Sequence, residues 1–211
     1  MPRRMMPIVT NQIHHVITKS RYTPAPFIVE ADYHRMIAAF KFYRFINRPG
    51  KFSNYLHNMR PSINISACMV DIVAFCIMPN HIHLLLRQNT DGGISNFMSM
   101  LLNSYTKYFN LKYKRQGPIW EKRFKDVLIE NDEQLLHVTR YIHLNPVTAF
   151  LTDDPYDWEF SSYREYINTE ECTEKICNYS NLIDMQPARY KTFCISNIKL
   201  QRQVSRNKIM V

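Results

Sequence analysis

Two strand-forming runs, residues 67–77 and 81–87, are separated only by Met78-Pro79-Asn80. A gap that short cannot hold a crossover, so the runs must pair as an antiparallel hairpin. The second run opens His81-Ile82-His83 and continues into Leu84, Leu85 and Leu86. Side chains on a strand alternate faces, so His81 and His83 point one way while Ile82 points into the core. Two imidazoles on one face form half of a divalent-metal site, each offering a nitrogen lone pair to a shared point. Alone, such a pair is more often two packed or surface histidines.

The elements around the hairpin define a fold class. Residues 11–19 carry Ile13, Val16 and Ile17 among polar neighbours and read as a first strand. Residues 31–47 place Met36, Ile37, Phe40 and Tyr43 at helical spacing and stop before Arg48-Pro49-Gly50. A short helix is expected within 51–60. After the hairpin, Gly92-Gly93 precedes a helix over 94–112, and an extended stretch over 119–129 follows Gly117-Pro118. Asn131 is an N-cap with Gln134 at N3, opening a helix that ends near Leu144, before Pro146. Strand, helix, hairpin, helix, strand is the βαββαβ unit of an α+β, ferredoxin-like fold, with helices on one face of an antiparallel sheet and a further helix after it. The second hairpin strand then lies beside the first strand, mid-sheet. The pattern weakens after Tyr166. Residues 1–166 are therefore expected to form the main folded domain, and 167–211 a helical, basic C-terminal extension.

Composition excludes several classes. Four glycines, with neither GxxxxGK[ST] nor GxGxxG, leave no phosphate loop, so nucleoside triphosphates are not expected as partners. The longest apolar run, near 65–78, is interrupted by Ser66 and Asp71 and is too short to cross a bilayer. Five cysteines without a CxxC pair read as reduced thiols, and no signal peptide is evident, so a cytoplasmic protein is expected. The net charge is +9, and many cations adjoin aromatics, as in Lys41-Phe42-Tyr43-Arg44 and Lys112-Tyr113-Lys114-Arg115. Cations neutralise phosphates and rings stack on unpaired bases, which suits single-stranded or hairpin nucleic acid. A solvated basic surface over an aromatic core would give the same composition.

A second constellation closes the last strong helix. Leu135, Val138, Thr139 and Ile142 form its buried stripe, and Tyr141 and Asn145, one turn apart, lie at the margin. An amide oxygen suits Mg²⁺ or Mn²⁺, and a phenol is a nucleophile if a metal polarises its target. Equally, Tyr141 could pack at the helix edge and Asn145 cap the helix.

Four segments, in order, now coincide with a known family: Met78-Pro79-Asn80-His81-Ile82-His83-Leu84-Leu85-Leu86, Gly117-Pro118-Ile119-Trp120-Glu121-Lys122-Arg123-Phe124, Arg140-Tyr141-Ile142-His143-Leu144-Asn145-Pro146-Val147 and Asp157-Trp158-Glu159-Phe160-Ser161-Ser162-Tyr163. The chain resembles the HUH single-tyrosine transposases, and within them the REP-associated tyrosine branch, over about residues 10–166. The resemblance implies a ferredoxin-like catalytic domain in which His81, His83 and Asn145 hold Mg²⁺ or Mn²⁺. Some relatives carry Gln where this chain has the shorter Asn145. It implies Tyr141 as nucleophile on single-stranded DNA flanked by hairpins, giving a 5′-phosphotyrosine and a free 3′-hydroxyl. Rejoining needs no ATP, in keeping with the missing phosphate loop. Relatives act as monomers or as homodimers that exchange the tyrosine helix.

Candidate DNA contacts are Lys107, Lys112, Lys114, Arg115, Arg123, Lys125 and Arg140. Tyr105 and Tyr108 are the rival nucleophiles, better read as core or stacking residues. His14 or His15 could bring an imidazole near the site, His137 could influence Tyr141, and His143 reads as structural or exposed. Trp120 and Trp158 read as core anchors. A replication-initiator or relaxase nickase, and a domesticated hairpin-binding protein with an idle site, are the alternatives to a strand transferase. An RNA-binding module on the same fold lacks a supporting aromatic motif.

Overall fold

A computed structural model describes residues 7–22, 25–48, 50–57, 67–121, 123–167 and 175–209, the last five of these as backbone only. The elements in chain order are β1 (Ile13–Lys19), α1 (Glu30–Tyr43), α2 (Phe52–His57), β2 (Val70–Met78), β3 (His81–Gln88), α3 (Gly93–Lys112), β4 (Lys125–Ile129), α4 (Asp132–His143), α5 (Asn145–Thr148), α6 (Tyr163–Ile167), α7 (Pro187–Ile195) and α8 (Ile198–Ile209). The four strands form one antiparallel sheet in the order β2-β3-β1-β4. That is the expected ferredoxin-like arrangement, with β3 central beside β1.

Register explains how the sheet presents its two faces. Met78 pairs with His81, so Pro79 and Asn80 alone make the turn. The Asn80 carbonyl accepts from the Ser20 N–H (2.8 Å), tying the turn to the end of β1. Ile82, Leu84 and Leu86 are fully buried on the face where Phe75 meets the Phe40 ring of α1 (5.5 Å, edge-on). The same face carries Gln88, whose Oε1 accepts the Ile94 N–H while its Nε2 donates to the Ile8 carbonyl. Gln88 therefore satisfies an orphan donor at the start of α3, where Gly92 has no side chain to do so. Both crossover helices lie on this face.

The helix following the βαββαβ unit covers the opposite face. Asn131 Oδ1 accepts from the Gln134 N–H (2.8 Å), as expected of the N-cap, and Leu135, Thr139 and Ile142 are buried. Val138 is partly buried against the same core. Behind α4, residues 175–209 return to the domain. His143 is fully buried, its Nδ1 2.7 Å from Tyr190 Oη and its Nε2 2.7 Å from Ser162 Oγ. Ser162 in turn bonds both the N–H and the carbonyl of Phe75 in β2. Gln201 of α8 donates to the Tyr141 carbonyl (3.2 Å), and Arg202 to the Val147 carbonyl (3.1 Å).

Two boundaries differ from expectation for a local reason. Strand β2 begins later because Cys68 bridges to Phe45 instead of the sheet. Extended chain does begin near 119, but Trp120 bridges to Ser20 and the Glu121 N–H donates to the Lys19 carbonyl before the ladder resumes at Lys125. Among the described residues Cys68, Cys76, Cys177 and Cys194 are free, and no helix is long and apolar enough to cross a membrane. Cys172, Lys122 and residues 58–60 of the expected short helix lie outside the described residues.

Candidate active site

Three rows of paired residues cross the sheet on the face covered by α4. They are Met78, His81 and Lys19; Cys76, His83, Ile17 and Lys125; and Ala74, Leu85, His15 and Val127. Facing partners share a side of the sheet, so His15, His81, His83, Lys19 and Lys125 all point the same way. The His81 and His83 rings lie 4.9 Å apart at 81°. His83 is buried and stacks on His15 at 5.2 Å, with His15 Nε2 3.0 Å from His83 Nδ1.

Helix α4 lays Tyr141 over this cluster. The half-buried phenol ring meets His83 edge-on at 5.6 Å and 89°, and His15 at 6.0 Å and 74°. One turn on, Asn145 Nδ2 donates to the Tyr141 carbonyl (2.8 Å), which also receives Gln201 Nε2. The amide is thus oriented by the helix it follows.

Burial sets the electrostatics. It pushes His15 and His81 each down to about 4, Lys19 assisting at His81. His83 is held well below the ordinary value by burial first, then by His81, His15 and Lys19. The imidazoles are therefore neutral at physiological pH, the form that carries a lone pair. Burial raises the Tyr141 phenol, and hydrogen bonding to Asn145 pulls it partly back. Burial thus favours the protonated phenol, and a positive charge placed beside it would bring its pKa down again.

The donor set fits a hard or borderline divalent cation. His81 Nδ1 is engaged by Asn80 Oδ1 (2.6 Å), His83 Nδ1 by His15, and Asn145 Nδ2 by a carbonyl. Among the described residues, His81 Nε2, His83 Nε2 and Asn145 Oδ1 keep no protein partner, leaving two nitrogens and one oxygen. A separate exposed group, Glu30, His34 and Glu159, also brings three ligand atoms within 4.8 Å of one another. It makes no ring contact or hydrogen bond with His81, His83 or Tyr141.

The rival tyrosines lie on the far side of the sheet. Tyr105 Oη donates to the Pro26 carbonyl (2.8 Å), and Tyr108 Oη to Asp32 (2.9 Å). Lys107, Lys114, Arg123 and Lys125 are exposed. Three other candidate DNA contacts are engaged within the chain: Lys112 with Asp32 (2.6 Å), Arg115 with Asn110 and the Tyr22 ring, and Arg140 over the Phe193 ring (4.4 Å). His14 faces away from His15 and pairs with Asp126, while His137 is exposed on α4 near Glu133 (4.0 Å). Trp120 is buried, and Trp158 donates to the Ile77 carbonyl. Lys19 and Gln201 were not singled out from sequence. Alternation along β1 marks Lys19 as a same-face neighbour once β1 is paired with β3, whereas nothing local marks Gln201.

Residues 29–145 match the family described as Transposase IS200 like. A Haemophilus influenzae protein named as a REP-associated tyrosine transposase is 32% identical over 111 residues, 47% of this chain. The chain spans 62% of that relative's length. A solved REP-associated tyrosine transposase, itself bound to a REP hairpin, overlays with a TM-score of 0.56 at 18% identity, covering 88% of this chain and 95% of that one. It shares the fold. A protein of Deinococcus radiodurans described as a transposase overlays at a TM-score of 0.38 and 14% identity, covering 67% and 95% of the two chains, too distant to bear on the site.

Proposed function

The chain belongs to the family of IS200-like transposases, and from that premise we propose that it is a strand transferase for single-stranded, hairpin-flanked DNA, with Tyr141 as nucleophile. One observation carries the reading: α4 packs the Tyr141 ring edge-on against His83, with Asn145 one turn further along. His81, His83 and Asn145 would hold Mg²⁺ or Mn²⁺, which supplies Lewis-acid polarisation of the scissile phosphate and favours the phenolate. Tyr141 Oη then forms a bond to phosphorus, and the bond from phosphorus to the 3′-oxygen breaks. The phenolic proton leaves to solvent, and the departing 3′-oxygen takes up a proton to become a free hydroxyl. The product is a 5′-phosphotyrosine. A second 3′-hydroxyl reverses the exchange, so one phosphodiester replaces another without a nucleoside triphosphate.

The surroundings support this reading. Lys19 and Lys125 flank the histidines on the same face and could neutralise phosphates beside the reacting one, with exposed Arg123 just before β4. Tyr141 meets the histidines of its own chain, so cleavage in cis needs no homodimer to complete the site. We assign residues 1–166 to the catalytic domain and 167–211 to an extension; its described helices α7 and α8 contact α4 and α5 and so support the Tyr141 helix. With DNA as the proposed substrate, we expect the protein to work in the cytoplasm.

A cleavage test uses hairpin-flanked single-stranded oligonucleotides with Mg²⁺ or Mn²⁺. The upstream fragment should end in a 3′-hydroxyl extendable by a polymerase, and the downstream fragment should carry Tyr141 at its 5′ end. A 3′-phosphate, or a free 5′-phosphate formed without a protein adduct, would refute the reading.

A further inference from the structure

We propose that Asn80 and His15 are positioning residues that hold His81 and His83 in the Nδ1–H tautomer, leaving the Nε2 lone pair of each directed at the metal. The inference rests on the reading of His81 and His83 as ligands given above.

A neutral imidazole has one N–H and one lone pair, and the partner of one nitrogen decides which atom keeps the proton. Asn80 Oδ1 lies 2.6 Å from His81 Nδ1. A carbonyl oxygen only accepts, so His81 must donate from Nδ1, and Nε2 carries the lone pair. Asn80 is held in place by the two-residue turn, since its backbone carbonyl is anchored on the Ser20 N–H. The asparagine before the first histidine is thus more than a turn residue.

The second pair is built from 68 residues away in sequence. Ile17 faces His83 and His15 faces Leu85, so His15 is the diagonal neighbour of His83 on the same face. The Nε2–Nδ1 contact of 3.0 Å, between two buried rings, contains one proton. If His15 donated it, the His83 proton would sit on Nε2 and block ligation. With His83 donating, Nδ1 is occupied by His15 and Nε2 is free. His15 is assigned a supporting part because its Nε2, the nitrogen that faces the cluster, is engaged by His83 Nδ1. Ligating histidines commonly give their second N–H to an acceptor that fixes ring and tautomer, and loss of that acceptor weakens metal binding by about 10–100-fold.

Long-range ¹H–¹⁵N correlation spectra of histidine-labelled protein, recorded with and without Mg²⁺, assign the protonated nitrogen directly. Native protein should show Nδ1–H at both His81 and His83. His15→Leu should shift His83 toward Nε2–H and leave His81 unchanged, and Asn80→Ala should do the reverse. Mn²⁺ affinity should fall by about 10–100-fold in His15→Leu and recover in His15→Gln, whose amide oxygen can accept. Nε2–H at His83 in the Mg²⁺-loaded native protein overturns the proposal without recourse to any variant. So does native Mn²⁺ affinity in His15→Leu. A native protein that binds no Mn²⁺ through His81 and His83 would instead overturn the ligand reading on which the proposal stands.

Discussion

Asp32 offers the sharpest test of how the α1–α3 side is held together. Its side chain is fully buried yet accepts five hydrogen bonds: Ile28 N–H (3.0 Å), Val29 N–H (3.1 Å), Tyr108 Oη (2.9 Å), Tyr113 Oη (2.7 Å) and Lys112 Nζ (2.6 Å). One carboxylate therefore closes the first turn of α1 and ties it to the end of α3. Asp32→Ala strands two peptide donors and two phenols, while the partly exposed Lys112 turns to water. Removing one partner of a buried, hydrogen-bonded ion pair costs about 3–5 kcal/mol. The Lys112 share is discounted for its exposure, so the lower end, about 3 kcal/mol, is expected. In a chain of this size that lowers Tm by roughly 6–12 °C. Asp32→Asn keeps one acceptor and the shape, exchanges charge-assisted bonds for neutral ones, and should cost about 1–2 kcal/mol.

The same carboxylate fixes a pH dependence. Burial opposes its ionisation, but hydrogen bonds from Lys112, Tyr113, Val29 and Tyr108 together outweigh burial and hold it below the ordinary value. A folded pKa below the unfolded one means that the unfolded chain binds the proton first as pH falls. Asp32's contribution is therefore complete above the unfolded carboxylate pKa, about 3.9, and is lost as pH drops through the folded value. Urea unfolding of native protein and Asp32→Asn between neutral and acid pH reads both effects. A loss under about 1 kcal/mol in Asp32→Ala, or an equally steep acid limb in Asp32→Asn, would refute the reasoning.

Three further outcomes follow from contacts elsewhere. His143→Phe removes the ring partner of the buried Tyr190 hydroxyl and one bond of Ser162, which keeps its bonds to Phe75, and should cost about 1–3 kcal/mol, with a double-mutant cycle against Tyr190→Phe showing coupling above about 0.5 kcal/mol. A Cβ on Gly93 would collide with the Met69 carbonyl oxygen, a backbone atom that cannot swing aside, so Gly93→Ala should destabilise by about 1–3 kcal/mol in chemical denaturation. A Cβ on Gly92 would make only an ordinary contact with Asn96 Nδ2 (3.7 Å), but φ is +65°, so Gly92→Ala should cost only about 1 kcal/mol, the left-handed backbone penalty. If Lys19 and Lys125 contact phosphates, Lys19→Ala and Lys125→Ala should each reduce the slope of log affinity against log salt for single-stranded DNA by about 0.7, measured by fluorescence anisotropy.

What the sequence disclosed follows from which signals are local. Strand β3 and helices α3 and α4 were legible because their apolar residues recur at the period of the element they form, and Asn131 with Gln134 marked the start of α4. The Met78-Pro79-Asn80 gap made the hairpin unavoidable. The imidazole of His15 could be suspected but not assigned, because its approach to His83 depends on the β1–β3 register rather than on spacing. The C-terminal helices gave little signal: α7 buries only Tyr190 and Cys194, and one of these is held by a hydrogen bond to His143 instead of an apolar stripe. Arg140 and Lys112 looked like free cations in sequence. Their engagement with Phe193 and Asp32 arises from tertiary neighbours that no local pattern reveals.

The most direct test of the central claim is covalent trapping on a denaturing gel. Native protein, Tyr141→Phe and His83→Ala are incubated with end-labelled, hairpin-flanked single-stranded DNA, with Mg²⁺ or Mn²⁺ and with a chelator. The account predicts a protein–DNA adduct for native protein that requires the cation and is absent from both variants. An adduct that persists in Tyr141→Phe, or tight hairpin binding by native protein with no adduct under either cation, would contradict it.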